Sequence, residues 1–307
     1  MKKLILLSFV LLAFISCDEI DDPIPKDIGQ AIEYQGTTYV IDQSLGIGNV
    51  QGLLDLIDNN TWTTKSGTDN SSKRVIVIEE FTGHKCIFCP QGTEEILRLD
   101  SIHGESLIPV SIHAGGFATP EDGKYSADYR VPPHGDAYLR EFGVDGYPTA
   151  LISRLGAEVQ KKDNWGILVD SLIDDVPFVE LRLQNFYSEA SNIVRVDLNA
   201  IFKVTPQRNY SLQLFMLEDH IVNWQKDFRV SGGDIQSYDH RHMLRKVVNG
   251  TYGTALEGVQ ENVEIKYQFI LPLESGWKPQ DVESVAYIFD NDPTSFEIVQ
   301  GNAAKVK

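Results

Sequence analysis

The chain has 307 residues and a formal net charge of −17 at pH 7. An excess of acidic residues on this scale argues against a nucleic-acid partner, which needs a basic face, and against docking on anionic lipid by charge alone. The length allows one large domain or two of ordinary size, with a substantial core in either case.

Residues 1–16 have the features of an export signal peptide. Two lysines follow Met1, residues 4–15 are apolar, and a small serine comes next. An apolar stretch of about 12 residues is too short for a permanent spanning helix, although an ordinary N-terminal anchor is the alternative. The end of this segment, Phe14-Ile15-Ser16-Cys17, resembles the bacterial lipoprotein cleavage box. That resemblance implies attachment to a membrane through lipid on Cys17.

The next two segments are predicted to be a tether and an extension. Residues 17–30 are acidic and contain prolines, which favours an extended chain. Acidic residues directly after a lipidated Cys resemble a signal for the outer cell surface, and a solvated spacer is the alternative. Within the N-terminal extension, residues 31–72, a hairpin is predicted about Gln35-Gly36 and a loop over 61–73. We expect this extension to cover part of the domain that follows.

Two further regions differ in pattern. In residues 73–175 strands and helices alternate, which favours an α/β domain with a partly parallel sheet covered by helices. In residues 176–307 short apolar or alternating runs are separated by turn residues, which is typical of an all-β, immunoglobulin-like sandwich of about six to eight strands. The predicted elements of the first region are strands 74–81, 107–113 and 149–153 and helices 90–102, 134–142 and 165–173.

Cys86 and Cys89 lie between a predicted strand and the helix that follows it. A helix N-terminus carries partial positive charge and free N–H groups, which favour a thiolate over a thiol. If Cys17 carries lipid, these two residues are the remaining cysteine pair. Disulfides persist in exported proteins, so the pair is predicted to form the Cys86–Cys89 disulfide.

The order of elements in this region resembles the thioredoxin fold. A strand leads into Cys86-Ile87-Phe88-Cys89-Pro90, and a helix, a strand, a second helix and Gly146-Tyr147-Pro148-Thr149 follow. The resemblance covers residues 73–175. It implies that Pro148 is a cis-proline that faces the cysteine pair and shapes a substrate groove. It also implies that Cys86 reacts with the substrate and that Cys89 resolves the mixed disulfide.

The same resemblance assigns roles to three residues before the pair. Glu80 stands where thioredoxins place a buried carboxylate, so it is a candidate to carry a proton to and from Cys89, although a strand residue pointing at solvent is the alternative. Its neighbour Glu79 should point to the opposite face of the strand. His84 and Lys85 are candidates to lower the thiol pKa. Lys85 replaces the usual Trp of thioredoxins, which puts interaction with their usual reductase partner in doubt.

A second resemblance extends to both halves of the chain. Two segments are similar to signatures of the twenty-eight-kilodalton outer-membrane protein family of Gram-negative bacteria. They are residues 79–90 and residues 238–245, and Asn249-Gly250-Thr251 follows the second. This resemblance implies an outer-membrane, lipid-anchored protein on the periplasmic or the cell-surface face. The biochemical activity of that family is poorly defined, so the resemblance implies location more than mechanism.

Two functions stay open from the sequence. The first is thiol–disulfide exchange on protein or small thiols, which requires a reactive Cys86 and an open groove beside Pro148. The second is a non-enzymatic envelope lipoprotein that binds a ligand or partner, with Cys86–Cys89 a structural disulfide. The second expects a buried or inert pair and a larger aromatic cleft elsewhere. Whether the protein is an enzyme is therefore uncertain at this point.

No cofactor and no metal are predicted. A zinc site that adds His84 and His113 to the cysteine pair has suitable ligand types but no second Cys pair. Haem attachment needs a His where Pro90 stands. His240 and His242 are expected on one strand face, as a metal pair or as a polar cross-strand cluster.

Overall fold

The structure is a computed structural model, and it describes residues 29–292 and 294–307. The predicted signal peptide, Cys17 and nearly all of the tether lie outside the described residues. The helices are α1 Val50–Asp58, α2 Cys89–His103, α3 His134–Glu141 and α4 Trp165–Leu172. The strands are β1 Gln30–Tyr34, β2 Thr37–Ile41, β3 Thr63–Ser66, β4 Ile76–Thr82, β5 Leu107–His113, β6 Thr149–Ile152, β7 Gln160–Lys161, β8 Val179–Ser188, β9 Ile193–Phe202, β10 Tyr210–Glu218, β11 Ile221–Lys226, β12 Asp234–His240, β13 Met243–Val247, β14 Thr254–Leu256, β15 Glu264–Pro272, β16 Val282–Asp290 and β17 Ile298–Lys305.

Two large sheets form a sandwich. One has six strands in the order β1-β2-β15-β9-β8-β3, and the other has nine, in the order β17-β16-β10-β13-β5-β4-β6-β7 with β14 paired to β10. Strands β8 and β9 alternate buried and less buried side chains, as expected where one face of a sheet is covered. The largest apolar core contains side chains from both sheets, among them Leu181, Val196, Leu214, Phe269 and Ile288.

The nine-stranded sheet contains strands from both predicted domains. Strand β5 runs parallel to β4, and Met243 of β13 pairs with Ser111 on the other edge of β5. Helices α2 and α4 pack on one face of β4 through Ile96, Leu99 and Trp165. The boundary predicted between residues 175 and 176 falls between α4 and β8. It stays a prediction, because one sheet joins strands from both sides.

The sequence of β4 explains how it positions the site. All seven of its residues are buried, and it is rich in β-branched side chains that suit a strand covered on both faces. Successive side chains point to opposite faces, so Glu79 and Glu80 are separated by the sheet. Helix α2 then begins at Cys89, with Pro90 in its first turn, where the missing N–H has no helical partner to lose.

Residues 31–72 pack on the later strands: β2 runs parallel to β15, and Leu53 of α1 packs near Ile193 and Ile270. One expectation about this segment is wrong. Strand β3 pairs with β8 where a loop was expected. All four of its side chains are exposed and polar, so no hydrophobic alternation marks it in the sequence.

A buried ion pair within residues 73–175 is tied to the second half of the chain by a hydrogen bond. The Arg154 guanidinium donates to both carboxylate oxygens of Glu79 at 2.7 Å and to the Tyr287 hydroxyl at 2.7 Å. Arg154 is 1% exposed and Glu79 is fully buried. Because neither charge reaches water, each needs the other to remain in the core.

We expect Arg154→Ala to lower the free energy of unfolding by about 3–5 kcal/mol, because it leaves the Glu79 carboxylate buried without a cation. Urea denaturation at pH 7, followed by tryptophan fluorescence, measures the change. Arg98→Ala is the matched control, since Arg98 forms an exposed pair with Glu95 one turn away on α2. Its effect should stay below about 1 kcal/mol. Equal effects of the two substitutions would contradict the assignment.

Candidate functional site

The candidate site is built where β4 leads into α2. Cys86 and Cys89 form a disulfide with their Cα atoms 5.4 Å apart. The Cys86 N–H donates to the Gly83 carbonyl at 2.9 Å, which closes the turn before the helix. Cys86 is 2% exposed and Cys89 is 1% exposed. The pair is therefore buried, as the structural-disulfide hypothesis expects.

Pro148 lies against the same helix. The Tyr147–Pro148 peptide bond is cis, as the thioredoxin resemblance implies. Gly92 follows Cys89 by one turn on the same side of α2. A Cβ atom at Gly92 would lie 2.8 Å from Pro148 Cβ and 2.4 Å from the Glu80 carboxylate oxygen Oε1. Glycine at this position thus lets Pro148 and Glu80 both approach the helix beside Cys89.

Glu80 is fully buried, so the alternative that it points at solvent is wrong. Its Oε2 accepts a long hydrogen bond from Ser111 Oγ at 3.4 Å, and its Oε1 makes no hydrogen bond to the protein. Burial raises the pKa of Glu80 to about 8, and the Ser111 hydrogen bond only partly offsets it. The side chain is consequently a neutral carboxylic acid at pH 7.

Strands β11 and β12 form a two-stranded sheet of their own, which we call the covering hairpin, residues 221–240. It lies across the cysteine loop and forms hydrogen bonds with its backbone. An open groove was expected for a reactive pair, and the covering hairpin closes it. The bonds run from Lys226 N–H to the His84 carbonyl at 2.8 Å, from Phe228 N–H to the Ile87 carbonyl at 3.2 Å, and from Gln225 Nε2 to the Cys86 carbonyl at 3.0 Å.

Side chains reinforce this cover. The rings of Phe88 and Phe228 have centroids 5.0 Å apart. Arg229 donates to both carboxylate oxygens of Glu94 on α2, at 2.8 and 2.7 Å. On the other side of the loop, the Lys85 N–H donates to the Phe117 carbonyl at 3.0 Å. The cysteine loop is thus held from two sides.

His84 and Lys85 lie beside the pair but differ in charge. The His84 ring is buried and stacks on Tyr125 with centroids 5.4 Å apart. Burial, and secondly the Lys85 charge, lowers the pKa of His84 to about 4, so the ring is neutral at pH 7 and supplies no positive charge. The Lys85 ammonium lies 3.6 Å from the Glu121 carboxylate.

The expectation that His240 and His242 share a strand face is wrong. Strand β12 ends at His240, and the backbone turns at His242 with a φ of 51°. The His240 ring contacts that of His113, with centroids 5.6 Å apart, whereas the His242 N–H donates to Asp219 Oδ1. In residues 29–292 and 294–307, no group of three or more His, Cys, Asp or Glu side chains is arranged to hold a metal ion.

The surface around the disulfide is apolar. Four large side chains are about 40–49% exposed there: Ile87, Phe88, Phe117 and Phe228. Beside them a cavity of about 350 Å³ is lined by Phe117, Tyr147, Leu139 and Val144. Exposed apolar side chains grouped in one place, rather than scattered singly, are typical of a binding surface.

The sequence prediction missed Ser111, Gln225 and the covering hairpin. The segment 238–245 was noted as a motif, but nothing in the sequence placed it next to the cysteine pair. Its position depends on β13 joining the edge of β5, where the Ser111 N–H donates to the His242 carbonyl at 2.8 Å.

Comparison with known families fixes the class of protein. The model of the family described as outer membrane protein Omp28 matches residues 135–307, more than half of the chain. The chain belongs to the Omp28 family. It is accordingly an outer-membrane protein, as the sequence resemblance implied. In the part of the chain that the structure describes, no helix is long and apolar enough to cross a membrane.

Solved structures give the fold comparison. HBP35 of Porphyromonas gingivalis is similar over 76% of this chain and 76% of its own, with a TM-score of 0.59 and 15% identity. A domain of the outer membrane lipoprotein Omp28 from the same organism matches 43% of this chain and 91% of its own, with a TM-score of 0.29 and 14% identity. The similarity to HBP35 concerns the fold alone. Among curated proteins, none matches the sequence.

The raised pKa of Glu80 predicts a specific dependence of stability on pH. In the unfolded chain Glu80 loses its proton above about pH 4.5, whereas in the folded protein it keeps the proton until about pH 8. The folded state is therefore favoured most at low pH, and this stabilisation is lost as the pH rises from 4.5 to 8. Between pH 4 and pH 7, the wild type should lose about 3 kcal/mol more of its free energy of unfolding than Glu80→Gln does. Denaturant titrations at both pH values measure the difference, and parallel losses in the two proteins would refute the assignment.

Proposed function

We propose that this Omp28-family protein exchanges thiols and disulfides through Cys86 and Cys89, and that residues 73–175 form a thioredoxin-like domain. The observation that carries the proposal is the neutral, buried Glu80 beside the helix face of Cys89. A disulfide with only a structural role needs no acid beneath it, and a buried polar group without full hydrogen bonding lowers stability. An acid with a pKa near the working pH is suited to transferring a proton to a leaving thiolate.

A substrate dithiol supplies both attacking thiolates in the proposed exchange. A substrate thiolate attacks Cys86 Sγ and forms a mixed disulfide, while the Cys86–Cys89 bond breaks and its electron pair leaves on Cys89 Sγ. Glu80 gives its proton to Cys89 and becomes a carboxylate. The second substrate thiolate attacks the substrate sulfur, which releases the substrate disulfide and the Cys86 thiolate. Two electrons pass from substrate to protein, and the reverse sequence reduces a substrate disulfide.

The apolar surface supports exported polypeptides as substrates. Phe88, Phe117 and Phe228 offer contact area that a small thiol would not use, and the cavity beside Tyr147 can accept a side chain of a bound segment. Substrate access then requires the covering hairpin to move. Its contacts with the loop and α2 are hydrogen bonds, one ring contact and the Arg229–Glu94 pair, none of them covalent.

A second function has one observation in its favour. Cys86 and Cys89 are nearly inaccessible, which suits a structural disulfide in a protein that binds a partner without catalysis. The two functions differ in whether the Cys86–Cys89 disulfide reacts with substrate thiols in the folded protein. The rate of thiol–disulfide exchange therefore separates them.

We expect the purified, detergent-solubilised chain to oxidise a reduced dithiol peptide, and Cys86→Ser to abolish the reaction. Cys89→Ser has no disulfide to pass on and should be inactive with the reduced peptide. Given the oxidised form of the peptide, its Cys86 thiolate should attack the peptide disulfide and accumulate the mixed disulfide, because the resolving thiol is absent; mass spectrometry detects the adduct on Cys86. Glu80→Gln should slow the exchange by about tenfold or more. An oxidised wild type that exchanges no faster than a linear model disulfide would leave the structural role as the explanation.

Arg229→Ala tests whether the covering hairpin limits access in that reaction. It removes the contacts of Arg229 with Glu94 and Asp227 and should speed the first attack on the disulfide. Arg98→Ala, which removes a pair on another face of α2, is the control and should leave the rate unchanged. Identical rates in both variants would mean that the hairpin does not gate the pair.

We also propose that lipid on Cys17 anchors the protein to the outer membrane, with residues 17–30 as the tether. The support is the resemblance of Phe14-Ile15-Ser16-Cys17 to the lipoprotein cleavage box. Cys17→Ser should move the protein from the membrane pellet to the soluble fraction, because a serine at this position cannot carry the lipid that anchors the chain. Retention of the variant in the pellet after a high-salt wash would contradict the proposal.

A further inference from the structure

The proton of Glu80 has no direct path to water. The carboxyl group is fully buried, and Ser111 Oγ is its hydrogen-bond partner. In the proposed exchange Glu80 becomes a carboxylate when Cys89 is reduced. A carboxylate with a pKa near 8 takes up a proton at pH 7, and it must lose that proton again before it can accept one from Cys89. The site therefore needs a route for one proton in each direction.

Ser111 opens onto a small polar cavity. Its volume is about 10 Å³, which is roughly the space for one water molecule. A buried site with several polar partners is where an ordered water is expected. The side chains that line it include Ser111, His113, Gln225, Tyr238, His240 and Arg241.

Two histidines in this wall have free ring nitrogens. His113 Nδ1 and His240 Nε2 are buried and make no hydrogen bond of ordinary geometry to the protein. Their rings are in contact, and both contact the ring of Tyr129. Burial holds the pKa of each well below its usual range, so both rings are neutral at pH 7. A neutral imidazole has one donor and one acceptor nitrogen, and can therefore accept a proton at one and release it from the other.

Arg241, which also lines the cavity, reaches solvent. The Arg241 side chain is 35% exposed and donates to Asp239 at 2.7 Å. Gln225, Tyr238 and His240 all belong to the covering hairpin, so with Arg241 the second half of the chain supplies half of this wall. Its motif at 238–245, which the exchange chemistry alone leaves without a role, contributes Tyr238, His240 and Arg241.

We infer that His113 and His240, with one water molecule in the cavity that Ser111 lines, carry protons between solvent and Glu80. The role of this relay rests on the proposed function, whereas its test does not require thiol–disulfide exchange. Each transfer moves one proton and no electrons: a proton enters at the Arg241 end, passes through the imidazoles and the water, and reaches Glu80 through Ser111. The neighbouring titratable and charged groups are Tyr238 near Glu80, and His84, Asp239 and Arg245 near the histidines.

The test follows protonation of Glu80 in the oxidised, full-length protein. A rapid pH jump from 9 to 6 should produce the infrared carbonyl band of a protonated carboxyl group, and Glu80→Gln identifies that band by its absence. In His113→Gln/His240→Gln the band should appear at least about tenfold more slowly, with the same final amplitude. Equal rates in wild type and variant would overturn the relay.

His220→Gln is the matched control. His220 precedes the covering hairpin, is exposed and pairs with Asp239, so its loss should leave the protonation rate unchanged. If the double variant does not fold, as judged by circular dichroism, each single variant is measured instead; at least one should slow the band, and two unchanged rates would refute the inference.

The measurement uses the disulfide form and no substrate. If Glu80 is protonated slowly in the histidine variants but the wild type shows no thiol–disulfide exchange, the relay stands and the proposed function is rejected. If the wild type exchanges normally but the variants protonate Glu80 at the wild-type rate, the proposed function stands and the relay is rejected.

Discussion

The site depends on one carboxyl group that is buried without a cation. Glu80 lies beneath the start of α2, where Gly92 has no side chain and Pro148 closes the remaining space. No charge balances it there, so burial keeps it protonated. The residue before it, Glu79, has the opposite environment, since a cation balances its charge. Glu79 points to the other face of β4 and is fully paired with Arg154. Adjacent acids on one strand thus differ in their surroundings: Glu79 is ion-paired in the core, and Glu80 is buried without a cation and is the proton carrier that we propose.

The second half of the chain completes this environment. Strand β13 joins the edge of β5 beside Ser111, and the covering hairpin that precedes it is thereby brought over the cysteine loop. Gln225 holds the Cys86 carbonyl, and Phe228 and Arg229 contact the loop and α2. The hairpin therefore both shields the disulfide and walls the polar cavity behind Glu80. This joint construction brings the segment 238–245 and the segment around the cysteine pair, both noted in the sequence, into one site.

Local patterns predicted the elements that form the centre of the site. The β-branched run of β4, the turn into α2 at Cys89 and the strand after Pro148 all carry strong local signals, and alternation along β4 separates Glu79 from Glu80 correctly. The covering hairpin was not predicted because its residues are largely polar and its position depends on a strand pairing between distant segments. The same limit applies to Arg154, whose partner Tyr287 lies far along the chain. His240 and His242 were paired wrongly because alternation was assumed to continue through a turn.

The central claim is that Glu80 and the cysteine pair act as one proton-coupled unit. Carbon-13 NMR of labelled Glu carboxyl groups, assigned with Glu80→Gln, can follow the titration of Glu80 in the oxidised and the reduced protein. The account predicts a pKa near 8 in the oxidised form, and a different titration curve once Cys89 carries a thiol that exchanges protons with it. An ordinary glutamate pKa, or a curve that reduction of the disulfide leaves unchanged, would contradict it.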